Sequence, residues 1–367
     1  MVVSGFIVAQ ALGNYKGKGG GFPFFPGHGI LSQPISLSIQ KGVCSMDGKK
    51  LSLRRKPREK PAKASGQEDR RLAPMMRALK AIHSVGAPDS MNPEDLAKQR
   101  AAQEVLGHLV APMIVMKKWE PFHLKHMACA WVKPDWPHVK HRVILYCHGG
   151  GYTSGNLGYS RPLASKLTNA TGWETLCFEY RLAPEHPFPA AVDDARRAWD
   201  YLMYLGYGAR DVVVAGDSAG GNLALVLCHQ LKQAGRQLPG KLVLMSPWTD
   251  MTASGRSYTQ RADLDPTITL DYIHAVREVY AGGQSLDSPL LSPLFGDFRG
   301  FPPTLVQVGS NEILYSDSLR LRERMEEAGV HCRLEVWEDM WHVFQMFPIP
   351  RANQAMEHIS RFLLEGI

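Results

Sequence analysis

The sequence predicts an α/β fold of the doubly wound kind, a mostly parallel central sheet with helices on both faces. Three observations carry that prediction. From about residue 122 onward strand and helix alternate, with six short β-rich runs, "RVILYC", "TLCFEY", "DVVVAG", "KLVLMS", "TLVQVG" and "CRLEVW". Helical patterns lie between them, at about 189–205, 218–234, 316–328 and 351–364. The runs are continuously apolar rather than alternating, as befits strands covered on both faces. Strand and helix in regular alternation is the pattern of a layered α/β domain.

The first segment stands apart. Residues 1–72 contain the Gly/Pro-rich "GKGGGFPFFPG" and the charged "KKLSLRRKPREKPAK". Neither buries enough apolar surface to offset the entropy of ordering it, so a disordered basic leader is expected, with Met46 and Met75 as alternative starts. The opening "MVVSGFIVAQALG" contains Ala9-Gln10-Ala11, which resembles a cleavage site, but lacks a basic n-region. A cytoplasmic protein is therefore expected, with export the minor alternative. The body should span 73–367. Met75, Met76, Leu79 and Ile82 recur at helical spacing. A second helix should start at Asn92 as N-cap, with Pro93 at its first position. Residues 255–290 break the strand–helix rhythm and read as an insertion.

Composition excludes several function classes. The chain has 367 residues and a formal charge of +7. Up to Arg71 there are 13 Lys plus Arg against 4 Asp plus Glu, so the remainder is slightly acidic. The body thus gives no sign of the basic face that nucleic-acid binding requires. The six cysteines, Cys44, Cys129, Cys147, Cys177, Cys228 and Cys332, form no C-x-x-C pair and mostly sit in apolar runs. They read as buried free thiols. No apolar run approaches the roughly 18 residues of a membrane span, so no stable membrane insertion is expected.

The chemistry centres on Gly216-Asp217-Ser218-Ala219-Gly220, which follows "DVVVA" and opens "AGGNLALVLCHQL". That is G-x-S-x-G in a strand–turn–helix setting, where a cramped turn lifts the serine hydroxyl out of the sheet at a helix N-terminus. A chance glycine–serine turn would lack those flanks. The second motif is His148-Gly149-Gly150-Gly151-Tyr152, after "RVILYC". A glycine run there leaves backbone N–H groups open to a developing oxyanion. Gly150 and Gly151 are the foremost donors, with Gly149 beside them and the Ala219 N–H on the other side. No Lys-Ser/Thr follows, which excludes a phosphate loop. His148 reads as a residue that orients this loop.

A serine nucleophile needs a base, and the base an orienting acid. Of the histidines beyond Ser218, His229 lies on the following helix, His274 in the insertion, His331 before a strand and His358 in the last helix. His342, in "WEDMWHVFQMF", follows a strand on a loop and is the candidate base. Glu312, in "SNEILYSDS", is the candidate acid. Asp317 is the alternative, although it also suits the first turn of a helix capped by Ser316. Tyr152, Trp248, Trp341 and Phe344 neighbour these motifs and, with Asp217, are candidates for a substrate pocket. Core packing is the other reading of the four aromatics.

Taken together, "HGGGY" at 148–152, "YRLAPEHPFPAAVDDA" at 180–195, "GDSAGGNLAL" at 216–225, "SPWTD" at 246–250, "GSNEILYSDS" at 309–318 and "EDMWHVF" at 338–344 resemble the hormone-sensitive-lipase-like group of α/β hydrolases, called family IV among bacterial esterases. The resemblance covers about 75–365. It implies an α/β-hydrolase fold with a helical cap, built here from about 73–120 and 255–290. It implies Ser218 as nucleophile, His342 as base, and oxyanion donors from the glycine run and Ala219. One departure is Glu312-Ile313-Leu314 where the group more often has Asp-Pro-Leu. Arg181, Glu185 and Asp194 read as structural.

The activity so implied is hydrolysis of small to medium, short-acyl carboxylic esters through an acyl-enzyme, with a small-molecule ester as partner and no cofactor or metal. Rival readings are a deacetylase or amidase on the same residues, and a catalytically silent ligand-binding relative. The last is disfavoured by the presence of His342. Analogy also suggests a homodimer through the edge strand "CRLEVW".

Overall fold

The structure is a computed structural model and describes residues 91–110, 117–135 and 141–365. The leader and the helix expected near 75–82 lie outside the described residues. Helix α1 (Pro93–Val110) begins where expected, and the Asp95 N–H donates to the Asn92 side chain at 2.9 Å. A hairpin follows, β1 (Lys118–Leu124) and β2 (Met127–Lys133). Then come β3 (Val143–Cys147), α2 (Leu157–Thr171), β4 (Glu174–Phe178), α3 (Ala190–Tyr204), β5 (Val212–Asp217), α4 (Ala219–Gln233) and β6 (Lys241–Met245). The chain continues through α5 (Ser257–Gln260), α6 (Leu270–Ala281), β7 (Thr304–Gly309), α7 (Tyr315–Glu327), β8 (Cys332–Trp337) and α8 (Pro350–Leu364).

The eight strands form one sheet in the order β1-β2-β4-β3-β5-β6-β7-β8. From β4 to β8 every pairing is parallel, as the apolar runs predict. The antiparallel hairpin at one edge was not foreseen. Its β1 alternates exposed and half-buried residues, so it carries no continuous apolar signal.

Side chains alternate across each strand. Val143, Leu145, Val212, Val214, Leu242 and Leu244 meet one apolar cluster with α3 and α4. Ile144, Val213, Ala215, Val243 and Met245 meet the other, with α2 and α8. Helix α4 is buried continuously from Ala219 to His229. A helix apolar on all sides belongs in a core, and each such leucine contributes roughly 1.5–3 kcal/mol through burial. This anchors the turn that carries Ser218. Helices α5 and α6 lie between β6 and β7, and α6 reaches α1 through the Gln99 amide, which donates to the Tyr272 hydroxyl at 2.7 Å.

Candidate active site

The site lies at the C-terminal ends of the parallel strands, where ligands bind in open α/β sheets. Ser218 occupies the step from β5 to α4 with φ 53° and ψ −121°, a region that a side-chain-bearing residue enters only under strain. The turn has no spare room: a Cβ on Gly216 would run into the Gly220 carbonyl. Ser218 is half-buried.

Two residues at the end of β6 tie the candidate nucleophile to the candidate base. The Met245 carbonyl accepts the Ser218 N–H at 3.0 Å. The next residue, Ser246, accepts the Val343 N–H on its Oγ at 3.1 Å. His342 therefore sits one residue from an anchor adjacent to that of Ser218. Its Nδ1 is 3.0 Å from Glu312 Oε2, and Glu312 is wholly buried. The other carboxylate oxygen, Oε1, accepts the Ser246 hydroxyl at 2.7 Å and the Gly309 N–H at 2.5 Å. Both oxygens are thus committed. The carboxylate can hold the tautomer with Nδ1–H, leaving Nε2 as a base.

Burial works against the charged imidazole, but the Glu312 hydrogen bond and the negative fields of Glu312, Asp265 and Asp217 outweigh it. The His342 pKa is raised above its ordinary 6.5. His358 offers a contrast, since it also meets a carboxylate, Glu335, at 3.0 Å. That pair is partly exposed and lies between α8 and β8, remote in sequence from the G-x-S-x-G turn.

Asp317 stands elsewhere. Its Oδ2 accepts the N–H groups of Thr249 at 2.8 Å and Asp250 at 2.9 Å. It lies in the first turn of α7, but Ser316 does not cap that helix. The Ser316 hydroxyl instead accepts the Ser257 N–H at 2.9 Å. Burial, with the nearby Asp250 charge, pushes the Asp317 carboxyl up to about 7.

The glycine loop follows β3. Gly151 has φ 62°, and a Cβ there would meet the Tyr272 hydroxyl at 2.6 Å. Among the described residues, the N–H groups of Gly150, Gly151 and Ala219 have no internal acceptor. Gly149 is a correction: its N–H donates to Asp217 Oδ1 at 3.0 Å, so it is not open to an oxyanion. Asp217 is a second correction. It is fully buried, and its carboxylate also accepts the hydroxyls of Tyr146 at 2.5 Å and Tyr159 at 2.9 Å, so it braces the loop from within the core. His148 orients the loop as expected. Its ring stacks on Tyr180 with centroids 4.1 Å apart, and its Nδ1 lies 2.7 Å from the Gly149 carbonyl. Burial pushes its pKa down to about 4.

The aromatic pocket candidates resolve into core. Tyr152, Trp248, Trp341 and Phe344 are each at most 1% exposed. Tyr152 stacks on Tyr280 at 3.7 Å and donates to Asn222 at 2.7 Å. Trp341 packs edge-on against Phe347, and Phe344 lies tilted against Trp337. Arg181 grips Asp194 at 2.8 Å, as its structural reading implied.

Sequence reasoning missed four supports. Ser246 has φ 50° and bridges Glu312 to Val343. Asp265, from the insertion, accepts the Ile313 N–H beside Glu312 at 2.9 Å. Asn222 donates to the Trp248 and Leu291 carbonyls at 2.8 Å each. Gln99 links α1 to the glycine loop, accepting the Thr153 hydroxyl at 3.1 Å. Only Asn222 had a readable signal, one helical turn beyond Ser218.

Comparison with known proteins agrees with this architecture. Residues 144–346 match a family model described as an alpha/beta hydrolase fold. The chain is 36% identical over 275 residues to a protein named acetyl-hydrolase from Streptomyces hygroscopicus, covering 74% of this chain and 89% of that one. It is 38% identical over 224 residues to an esterase from Acinetobacter venetianus, covering 60% and 74%. Among solved structures, an esterase from the bacterial hormone-sensitive lipase family superposes with a TM-score of 0.74 at 35% identity, covering 82% of this chain and 98% of that one. With the elbow, the glycine loop and this length of match in place, the chain belongs to the α/β-hydrolase family, in its hormone-sensitive-lipase-like group.

Proposed function

We propose that this protein is a serine carboxylesterase that hydrolyses small to medium, short-acyl esters through an acyl-enzyme. The observation that carries the reading is the pairing of His342 Nδ1 with the buried Glu312 at 3.0 Å, on a loop anchored beside the strained Ser218 turn. His342 Nε2 takes the hydroxyl proton as Ser218 Oγ bonds to the ester carbonyl carbon. The N–H groups of Gly150, Gly151 and Ala219 stabilise the resulting oxyanion. The imidazolium then protonates the departing alcohol, and water activated by the same imidazole releases the acid. Glu312 holds the tautomer and stabilises the imidazolium. The names of the acetyl-hydrolase and esterase relatives support an ester substrate with a short acyl group.

The test is a p-nitrophenyl ester panel of increasing acyl length on wild type and Ser218→Ala, with a fluorophosphonate label on both. Ser218→Ala should lose most of a roughly 10⁶-fold turnover advantage and all labelling. A variant that keeps its turnover, or a wild type that resists the label, overturns the reading.

Three finer proposals accompany it. Residues 1–72 are proposed to be dispensable for catalysis, with about 73–120 and 255–290 forming the cap, so deleting 1–72 should leave esterase activity intact. A cytoplasmic location is supported by five described cysteines that are free and buried as small apolar side chains. A homodimer through β8 is supported by its place at the sheet edge, where backbone groups await a partner strand. Among the described residues no helix is long and apolar enough to cross a membrane.

A further inference from the structure

On the sheet face opposite α4, a groove of about 820 Å³ runs between α2 and α8. Its floor holds Lys166 and Met356, and its walls include Ala170, Pro348, Ser360 and Leu364. Lys166 is only 7% exposed. Its ammonium donates to the Gln345 carbonyl at 2.8 Å and the Phe347 carbonyl at 2.5 Å. An ammonium has three N–H donors, so these two bonds leave one unspent. No described carboxylate pairs with it. Glu357 and Glu365 also line the groove, but both are exposed, and Glu365 is directed to Arg333 at 3.9 Å. Burial uncompensated by any nearby anion pushes the Lys166 pKa down to about 8. A cation so placed gains from an anionic ligand that arrives with its own apolar body.

The geometry fixes which way that body would lie. The Lys166 ammonium, from α2, reaches the carbonyls just before α8, while the Ser360 hydroxyl on the Ala170 carbonyl marks the groove's further reach. From Asn353 to Leu364 the lining spans about 16 Å of helix at ~1.5 Å per residue. The two carbonyls held by Lys166 belong to the segment that joins His342 to α8, pinned at its other end by Val343 on Ser246.

We infer that this groove is a second ligand site, remote from Ser218, which binds a medium-chain carboxylate with its head on Lys166 and its chain along Met356 and Leu364. The ligand is of the same chemical class as the acid an esterase releases.

The test is calorimetric titration of the full chain with sodium decanoate and, separately, decanol, after the fluorophosphonate has been applied to occupy Ser218. Wild type should show saturable decanoate binding and none to decanol. Lys166→Met, which keeps an apolar stem, and Asn353→Trp, which fills the groove from its exposed rim, should each weaken it at least tenfold. The second variant leaves the Lys166 clamp untouched, so it decides the matter if the first folds poorly. Equal binding by wild type and Asn353→Trp, equal binding of alcohol and acid, or no saturable heat of decanoate binding to wild type each overturns the inference. The readout is binding, so it stands or falls separately from the esterase reading, which the labelling step reports.

Discussion

Replacing Glu312 by Gln tests the site most sharply, because it changes one atom's chemistry while keeping shape. Glu312 gives Oε2 to His342 Nδ1 and Oε1 to Ser246 and Gly309. A glutamine can keep its carbonyl oxygen toward the Ser246 hydroxyl and the Gly309 N–H. Its amide nitrogen then faces His342 as a donor, which forces Nδ1 to accept and moves the ring proton to Nε2. That nitrogen can no longer take the serine proton. A wrong tautomer of this kind lowers kcat by about 10⁴, equivalent to roughly 5 kcal/mol. The charge is lost as well. With the Glu312 bond and field gone, burial is opposed only by Asp265 and Asp217, and the His342 pKa falls. In wild type the base form grows as pH rises through the raised pKa, so kcat/KM for p-nitrophenyl acetate should rise along an acid limb centred above 6.5. In Glu312→Gln the plateau should drop about 10⁴-fold and the limb should move to lower pH. Glu312→Asp, one methylene shorter, should recover part of the rate. The assay is initial-rate kinetics from pH 5 to 9, with circular dichroism as a fold control. A Glu312→Gln enzyme within tenfold of wild type, or an Asp317→Asn enzyme that falls as far, refutes the assignment.

Three further outcomes are expected. Ser246→Ala removes a bond to a buried carboxylate and strands the Val343 N–H, so urea denaturation should show a loss of about 3 kcal/mol. Gly151→Ala places a side chain at φ 62° against Tyr272, so it should lower kcat roughly 10²-fold by misplacing an oxyanion donor and should also lower the melting temperature. Asp317 is raised from its ordinary 3.8 to about 7, so the native state holds the extra proton between those values and stability falls as pH rises through that window. Asp317→Asn should therefore stabilise more at pH 8 than at pH 5, by up to about 3 kcal/mol for the part of that window above pH 5, measured by urea midpoints.

What the sequence disclosed and what it hid divide along sequence distance. The Ser218 turn was legible because its requirements are local: glycines two residues to either side, a strand before and a helix after. The parallel strands were legible because burial on both faces leaves a continuous apolar run, whereas the half-exposed β1 leaves none. His342 and Glu312 were placed by chain order and loop position, a coarser but still linear signal. The aromatics were ambiguous because a residue beside a motif can face either side of its backbone, and nothing local says which. Gly149 was misjudged for a different reason. Three successive glycines look alike, and which N–H is free depends on an acceptor 68 residues away.

That last point extends to the whole site. The Asp217 carboxylate holds Gly149, Asp265 holds Ile313 beside Glu312, and Asp317 holds Thr249 and Asp250 beyond Ser246. Each is a buried carboxyl group that accepts backbone N–H donors, and each fixes the backbone of a loop it does not belong to. Such bonds are strengthened in a low-dielectric interior. They give the loops at the strand ends a rigidity that loop residues alone would lack. In the sequence these acids are indistinguishable from candidate catalysts, and Asp317 was weighed as one. What separates Glu312 from them is not its residue type or its burial, which it shares, but that one of its oxygens is turned to an imidazole while the other is held in place.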